Sequence, residues 1–214
     1  MKNLTACLLL LTLSPSVWAM DNGDQQRLAG IQKSWAHVQY EVPTEQRTAA
    51  FEQLAAQTTA FTQERPSVAE AWIWSGIVTS SWAGAQGGLG ALNKVKEAKA
   101  DLEKALVLDP DALQGSAYTS LAALYDRVPG WPIGFGDANK AEQLLKQALQ
   151  LNPTGIDSLY FWGDHLYRQK HYAESKIALQ RALLAAPRPG RESADTGRRK
   201  EIEVLLADVN KKIN

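Results

Sequence analysis

Apolar residues recur at three- and four-residue steps from Asp21 onward, and no stretch alternates with the two-residue period of a strand. The positions between them hold mainly Ala, Glu, Gln and Lys, whose side chains lose little freedom in a helix. The pattern predicts helix after helix, and so an all-α chain. Four prolines punctuate it, Pro66, Pro110, Pro153 and Pro187, at separations of 44, 43 and 34 residues. Proline lacks an amide donor and clashes with the preceding turn, so each marks a helix end and a change of direction.

The segments before three of these prolines nearly superimpose. Ala98, Leu102 and Ala105 precede Pro110; Ala141, Leu145 and Ala148 precede Pro153 with the same spacing; Ser175, Leu179 and Ala182 precede Pro187 with it again. Small residues a turn apart let a neighbouring helix approach, and the leucine between them fills the gap. Beyond the prolines, Trp72 and Gly76 follow Pro66, while Leu159, Trp162 and Gly163 follow Pro153. A glycine close to a large aromatic suits contact between the two helices of one hairpin.

These residues resemble the tetratricopeptide repeat (TPR) family, whose unit is a helix-turn-helix of about 34 residues. The resemblance is best over Ala141–Pro187, extends to Ser67–Pro110 and fades over Asp21–Pro66. In the unit after Pro110 the first helix, Leu113–Tyr125, carries Ser116 and Ser120 in place of the large/small pair. The resemblance implies a right-handed array of antiparallel helix hairpins, a TPR-like solenoid. It also implies a scaffold that binds protein partners.

The organisation follows. Lys2, the apolar run Leu4–Leu13 and Val17-Trp18-Ala19 make residues 1–19 a secretory signal peptide cleaved after Ala19. The letters Leu4-Thr5-Ala6-Cys7 match a lipoprotein box, but there the cysteine should follow the apolar core, and here it precedes most of it. Residues 20–66 form an N-terminal helical hairpin, with helices around Gln25–Gln39 and Thr44–Gln63. Residues 67–187 form three TPR-like hairpins. Residues 188–214 form a loop and a C-terminal capping helix, about Thr196–Lys211, with Ile202, Leu205, Leu206 and Val209 on one face. The two terminal pieces are expected to seal opposite ends of the stack. Ser67 with Glu70 reads as a capping box, and Asp137 and Asn93 as caps of the helices that follow them.

Subtracting the repeat length leaves about ten and nine extra residues in two of the units. The first insertion is about Ala83–Leu92, with Gly84, Gly87, Gly88 and Gly90; the second is about Arg127–Gly136. Stacking in register brings both enlarged intra-repeat loops to one edge, where loops on a rigid scaffold usually bind. Trp131 and Phe135 are costly to leave in water, and Pro129, Pro132, Gly130, Gly134 and Gly136 set unusual backbone shapes. The second loop therefore folds back onto the stack, presents a rigid aromatic surface, or does both as the wall of a pocket. Trp82 is the expected neighbour of Trp131. Trp72 and Trp162 sit at packing positions, while Trp74, two residues from Trp72, points toward the groove. The candidate binding residues are Trp74, Trp82, Trp131, Pro132 and Phe135.

Composition narrows the chemistry. Equal counts of 23 basic and 23 acidic residues exclude a protein whose main work is neutralising nucleic-acid phosphates. The single cysteine, Cys7, leaves with the leader, so the mature chain suits an oxidising compartment, the periplasm of a Gram-negative bacterium. No apolar run in the mature chain reaches the roughly 20 residues that span a bilayer. His37, His165 and His171 lack metal-ligand spacing and read as exposed or outer polar groups; no Gly-x-Ser-x-Gly elbow occurs. Gly87-Gly88-Leu89-Gly90 lacks the strand and the Gly-Lys-Ser/Thr ending of a phosphate loop. No catalytic residue, cofactor or metal is expected. The basic cluster Arg188, Arg191, Arg198, Arg199 and Lys200 reads as a solvated loop, or else as a contact for an anionic headgroup or acidic partner.

These expectations describe a non-catalytic periplasmic scaffold or assembly factor with a protein partner in the cell envelope. The alternative is a binder of a small apolar ligand. Its enlarged loops and Gly/aromatic content resemble the periplasmic helical-repeat T component of certain TRAP-type solute transporters, built around a central pore or cavity.

Overall fold

The structure, a computed structural model, describes residues 20–88 and 90–213; the leader and the lipoprotein-box reading lie outside the described residues. Nine α-helices and no strand occur among the described residues: α1 Asn22–Tyr40, α2 Thr44–Glu64, α3 Ala69–Gln86, α4 Ala91–Leu108, α5 Ser116–Arg127, α6 Ala138–Leu151, α7 Ile156–Arg168, α8 Tyr172–Leu183 and α9 Glu192–Ile213. Consecutive helices pack as hairpins, α3 with α4, α5 with α6 and α7 with α8. Each of the four prolines falls between helices. The array is a TPR-like solenoid.

The repeated small/large spacing supplies the hairpin seams. Ala98, Leu102 and Ala105 of α4, Ala141, Leu145 and Ala148 of α6, and Ser175, Leu179 and Ala182 of α8 are all buried. Gly76 and Gly163 mark where the seams are tightest. A Cβ on Gly76 would lie 2.6 Å from Leu102 Cγ, and one on Gly163 would lie 2.7 Å from Leu179 Cγ. In the last hairpin the small position also bonds across the seam: Ser175 Oγ donates to the Gly163 carbonyl at 2.7 Å. Trp72 and Trp162, expected in the seams, are only half-buried. Trp72 Nε1 donates to the Pro66 carbonyl at 2.9 Å, and Trp162 stacks on His165 at 5.6 Å.

Several helix ends differ from the sequence reading. Asp137 caps α6 as expected, accepting from the Asn139 and Lys140 amides. Ser67 does not cap: Val68 N donates to the Arg65 carbonyl in a turn, and buried Val68 is the N-cap of α3 without a side-chain bond. Glu70 then lies in the first turn, where its charge favours the positive end of the helix. Asn93 lies inside α4, which starts at Ala91. The helix expected from Leu113 starts at Ser116, because Leu113, Gln114 and Gly115 have φ of 48°, 55° and 76°. Those left-handed values cannot open a right-handed helix.

The first expected loop is mostly helix. α3 continues through Ala83-Gly84-Ala85-Gln86 and α4 begins at Ala91, so the extra residues lengthen the hairpin instead of widening its turn. The second is a true loop between α5 and α6. It is a tight one, since a Cβ on Gly136 would meet the Val128 carbonyl oxygen and one on Gly134 would lie 2.5 Å from that of Pro129.

The largest departure concerns the last helix. α9 starts at Glu192, ahead of the expected Thr196, and packs on α8, on α7 and also on α1. It therefore joins the two ends that were expected to be sealed apart. Ile202 and Val209 are fully buried against the α7–α8 core, with Leu205 and Leu206 partly so. On another side, Gly197 approaches the Tyr40 ring, Tyr40 Oη donates to Glu201 at 3.4 Å, and Ser193 Oγ donates to the Glu41 carboxylate.

Candidate functional site

Closure by α9 turns the concave face of the array into a channel of about 970 Å³. Its apolar wall includes Trp35, Phe51, Trp74, Ile77, Ile156 and Phe161. Both turns expected on one rim contribute to it, Ala85 and Gly88 from the first, Pro129 and Ile133 from the second. Leu113 and Gln114, both held at positive φ, also line it.

Three of the seven charged lining residues come from the basic cluster expected in solvent. Arg188, Arg191 and Arg198 face inward instead, because carboxylates and aromatic rings receive them there. Arg198 Nε donates to Asp157 Oδ1 at 2.8 Å, and Nη1 donates to Glu201. The same guanidinium lies 4.4 Å from the Tyr160 ring centroid and 4.9 Å from that of Phe161, which suits a weakly hydrated planar cation. Arg188 bridges Asp157 and Asp195, with Nη1 at 2.7 Å from Asp157 Oδ2 and Nε at 2.7 Å from Asp195 Oδ1. Asp195 also accepts the Arg188 amide. Arg199 turns to the end of α8, donating to the Leu183 and Ala185 carbonyls. Lys200 alone of the cluster is exposed.

These pairings set the protonation states. Burial would raise the Asp157 carboxyl, but Arg198 and Arg188 override it and hold it at about 2. Burial would lower the Arg198 guanidinium, and Asp157 more than reverses this. The Tyr40 phenol is pushed up by burial.

Trp74 is the sequence-predicted residue that reaches this channel. It is buried, makes a T-shaped contact with Trp35 at 5.8 Å, and carries the Arg191 guanidinium over its ring at 5.2 Å. Trp35 Nε1 donates to Ser81 Oγ at 2.9 Å, whereas Trp74 Nε1 and Arg191 Nε are buried without an acceptor. Trp35 carried no distinguishing signal in sequence, and the arginines read only as a solvated loop or an anionic contact, since the closure that gathers them joins residues far apart in the chain.

The other candidates lie elsewhere. Trp82 is not joined to Trp131; it takes Lys94 Nζ over its ring at 3.9 Å. Phe135 folds back onto Tyr125, with ring centroids 5.4 Å apart. Trp131, Pro132 and Ile133 are exposed, Trp131 at 90%, with Ile133 at the rim of the channel. The second loop thus does both. His165, read as an outer polar group, is buried, with Nδ1 at 3.0 Å from both carboxylate oxygens of Asp126. No group of three or more acidic, histidine or cysteine side chains converges as a metal site among the described residues.

Residues 133–192 match the tetratricopeptide repeat. That span runs from the second loop through α6, α7 and α8 to the start of α9, where the spacing in sequence is most regular. No curated protein matches the chain. Among solved structures, a thermophilic TPR protein in Thermus thermophilus is 19% identical, with 88% of this chain and 90% of that one covered, at a TM-score of 0.53. The likeness is one of fold. The crystal structure of MamA (17% identical, 91% and 95% covered, TM-score 0.46) and a solved structure of Pseudomonas aeruginosa pilF (15% identical, 90% and 92% covered, TM-score 0.34) are also similar. No helix among the described residues is long and apolar enough to cross a membrane.

Proposed function

We propose that the chain is a non-catalytic scaffold of the bacterial cell envelope, exported by residues 1–19, that holds a protein partner against the rim of its channel. The observation that carries this reading is Trp131, 90% exposed beside exposed Pro132 and Ile133. Large apolar side chains grouped on a surface mark contact sites, and Trp is the residue most enriched at their energetic centres. The loop is held in shape before any partner arrives: Gly136 N donates to the Pro129 carbonyl at 3.0 Å and Asp137 N to the Tyr125 carbonyl at 2.9 Å. Such pre-ordering reduces the entropy lost on binding. The TPR architecture, common among protein-binding scaffolds, supports the same reading.

The test is quantitative retrieval from envelope extract by wild type and by Trp131→Ala. The expected result is a discrete partner retrieved by wild type and lost from the variant, with unchanged thermal unfolding. Equal retrieval by both proteins overturns the loop as the contact.

A second reading rests on a different observation, the closure of the concave face by α9. A cavity of about 970 Å³, with an apolar wall facing convergent polar and charged groups, suits a small molecule. The resemblance to the TRAP-associated T component points the same way.

A further inference from the structure

The charges lining the channel are Arg47, Arg127, Arg188, Arg191, Arg198, Asp157 and Glu201. Most are spoken for. Arg127 pairs with Asp164 at 2.7 Å. Arg188 and Arg198 share Asp157, with Asp195 and Glu201 as their second partners. Arg47 donates its Nε to the Val42 carbonyl at 2.8 Å. Arg191 has no carboxylate within ion-pair distance and no side-chain hydrogen bond among the described residues, and its Nε is buried without an acceptor. The ring beneath it, Trp74, is only 3% exposed and carries a second buried donor without an acceptor.

Two unsatisfied donors on stacked side chains that both line one cavity are costly. A buried N–H without a partner loses about 1–3 kcal/mol, and more where the group is charged. Natural interiors satisfy nearly all such groups, so the exceptions call for a reason. An acceptor from outside the chain supplies one. Burial and the neighbouring Arg188 both disfavour the charged form of Arg191, and an incoming negative charge relieves that penalty.

We propose that the channel binds a small organic acid, its carboxylate received between the Arg191 guanidinium and the Trp74 indole N–H, and its apolar body lying along Trp35, Ile77 and Phe161. The proposal rests on the second reading above, that the channel is a small-molecule site. A carboxylate has two acceptor oxygens, one for each waiting donor. It brings a single negative charge, matching the one side chain, Arg191, with no acceptor of its own. The Tyr40–Gly197 contact and the Ser193–Glu41 bond close the side of the channel against a folded partner.

Isothermal titration of the mature protein with octanoate and phenylacetate, each beside its uncharged alcohol, 1-octanol and 2-phenylethanol, tests this. Both acids are expected to bind saturably, about tenfold or more tighter than their alcohols, as a charge-assisted hydrogen bond predicts. Arg191→Gln should remove that advantage and leave the alcohols' affinity unchanged. Trp74→Phe keeps the ring and removes the N–H, and should weaken only the acids; a folded protein in each case is verified by circular dichroism. Acids and alcohols binding alike, or acid affinity unchanged by Arg191→Gln, overturns the carboxylate site while leaving a small-molecule channel standing. If none of the four compounds binds, the channel reading and the carboxylate site fall together.

Discussion

Gly197 of α9 lies against Tyr40 at the end of α1, so close that a Cβ at position 197 would overlap the ring. This contact joins the last helix to the first. Alanine there gains helix propensity of about 1 kcal/mol over glycine. The methyl group, however, collides with the ring's Cγ and both Cδ atoms, and overpacking of this kind costs about 1–3 kcal/mol. Gly197→Ala is therefore expected to be destabilised by about 1 kcal/mol, the balance of overpacking against propensity, read as a lower urea midpoint. Propensity alone would raise that midpoint.

Two other helical glycines separate the same terms. Gly76 meets Leu102 across the α3–α4 seam, while a Cβ on Gly30 would meet nothing within 4 Å. Gly76→Ala should lose about 1 kcal/mol, the overpacking cost less the same gain in propensity. Gly30→Ala should gain about 0.5–1 kcal/mol from a less flexible unfolded chain. Equal effects of the two in denaturant titrations would refute the close packing of that seam.

The ion-pair network predicts an acid transition. Asp157 is held at about 2 against an ordinary 3.8. A carboxyl lowered in the folded state stabilises above its unfolded value, and that stability fades as pH falls from about 4 toward 2. The side chain remains 33% exposed, so solvent screening limits the contribution to the order of 1 kcal/mol. Asp157→Asn should flatten that part of the stability–pH curve, measured by thermal melts between those values.

Removing the carboxylate beneath His165 should be costlier than its position in a polar segment implies. His165 and Asp126 side chains are 3% and 6% exposed. Asp126→Ala strands a buried ring nitrogen and is expected to cost about 1–3 kcal/mol, checked by urea unfolding.

Trp131→Ala provides the opposite control. With the ring 90% exposed, stability should change by no more than about 0.5 kcal/mol. A larger loss in calorimetry would mean that the ring covers the stack, and would remove it as a contact surface.

The hairpins could be read from sequence because their determinants are local. Ala98, Leu102 and Ala105 announce a seam by spacing alone, and Pro110 announces the turn after it. Gly76 and Gly163 were legible for the same reason, being small where a leucine must enter. The channel was not legible in this way. Arg191 and Arg198 sit in a stretch that looks like a solvated linker; Arg198 is drawn inward by Asp157, Tyr160 and Phe161 on α7, and Arg191 by the Trp74 ring on α3. Trp74 could be placed on the groove side, but its partner Trp35 lies in the helix with the weakest repeat pattern. Helix continuation also hid in composition, since the glycines at 84, 87, 88 and 90 suggested a loop where α3 needed only four residues to turn.

An open stack of hairpins has two frayed extremities, and melting can start at either and travel inward. Fastening α9 to α1 abolishes both extremities. Each hairpin is then supported from two directions, so severing a single seam leaves a linear chain still anchored elsewhere. Resistance to partial opening becomes a property of the circle as a whole, and the weld at Tyr40 decides whether the protein melts as a row of parts or in one step.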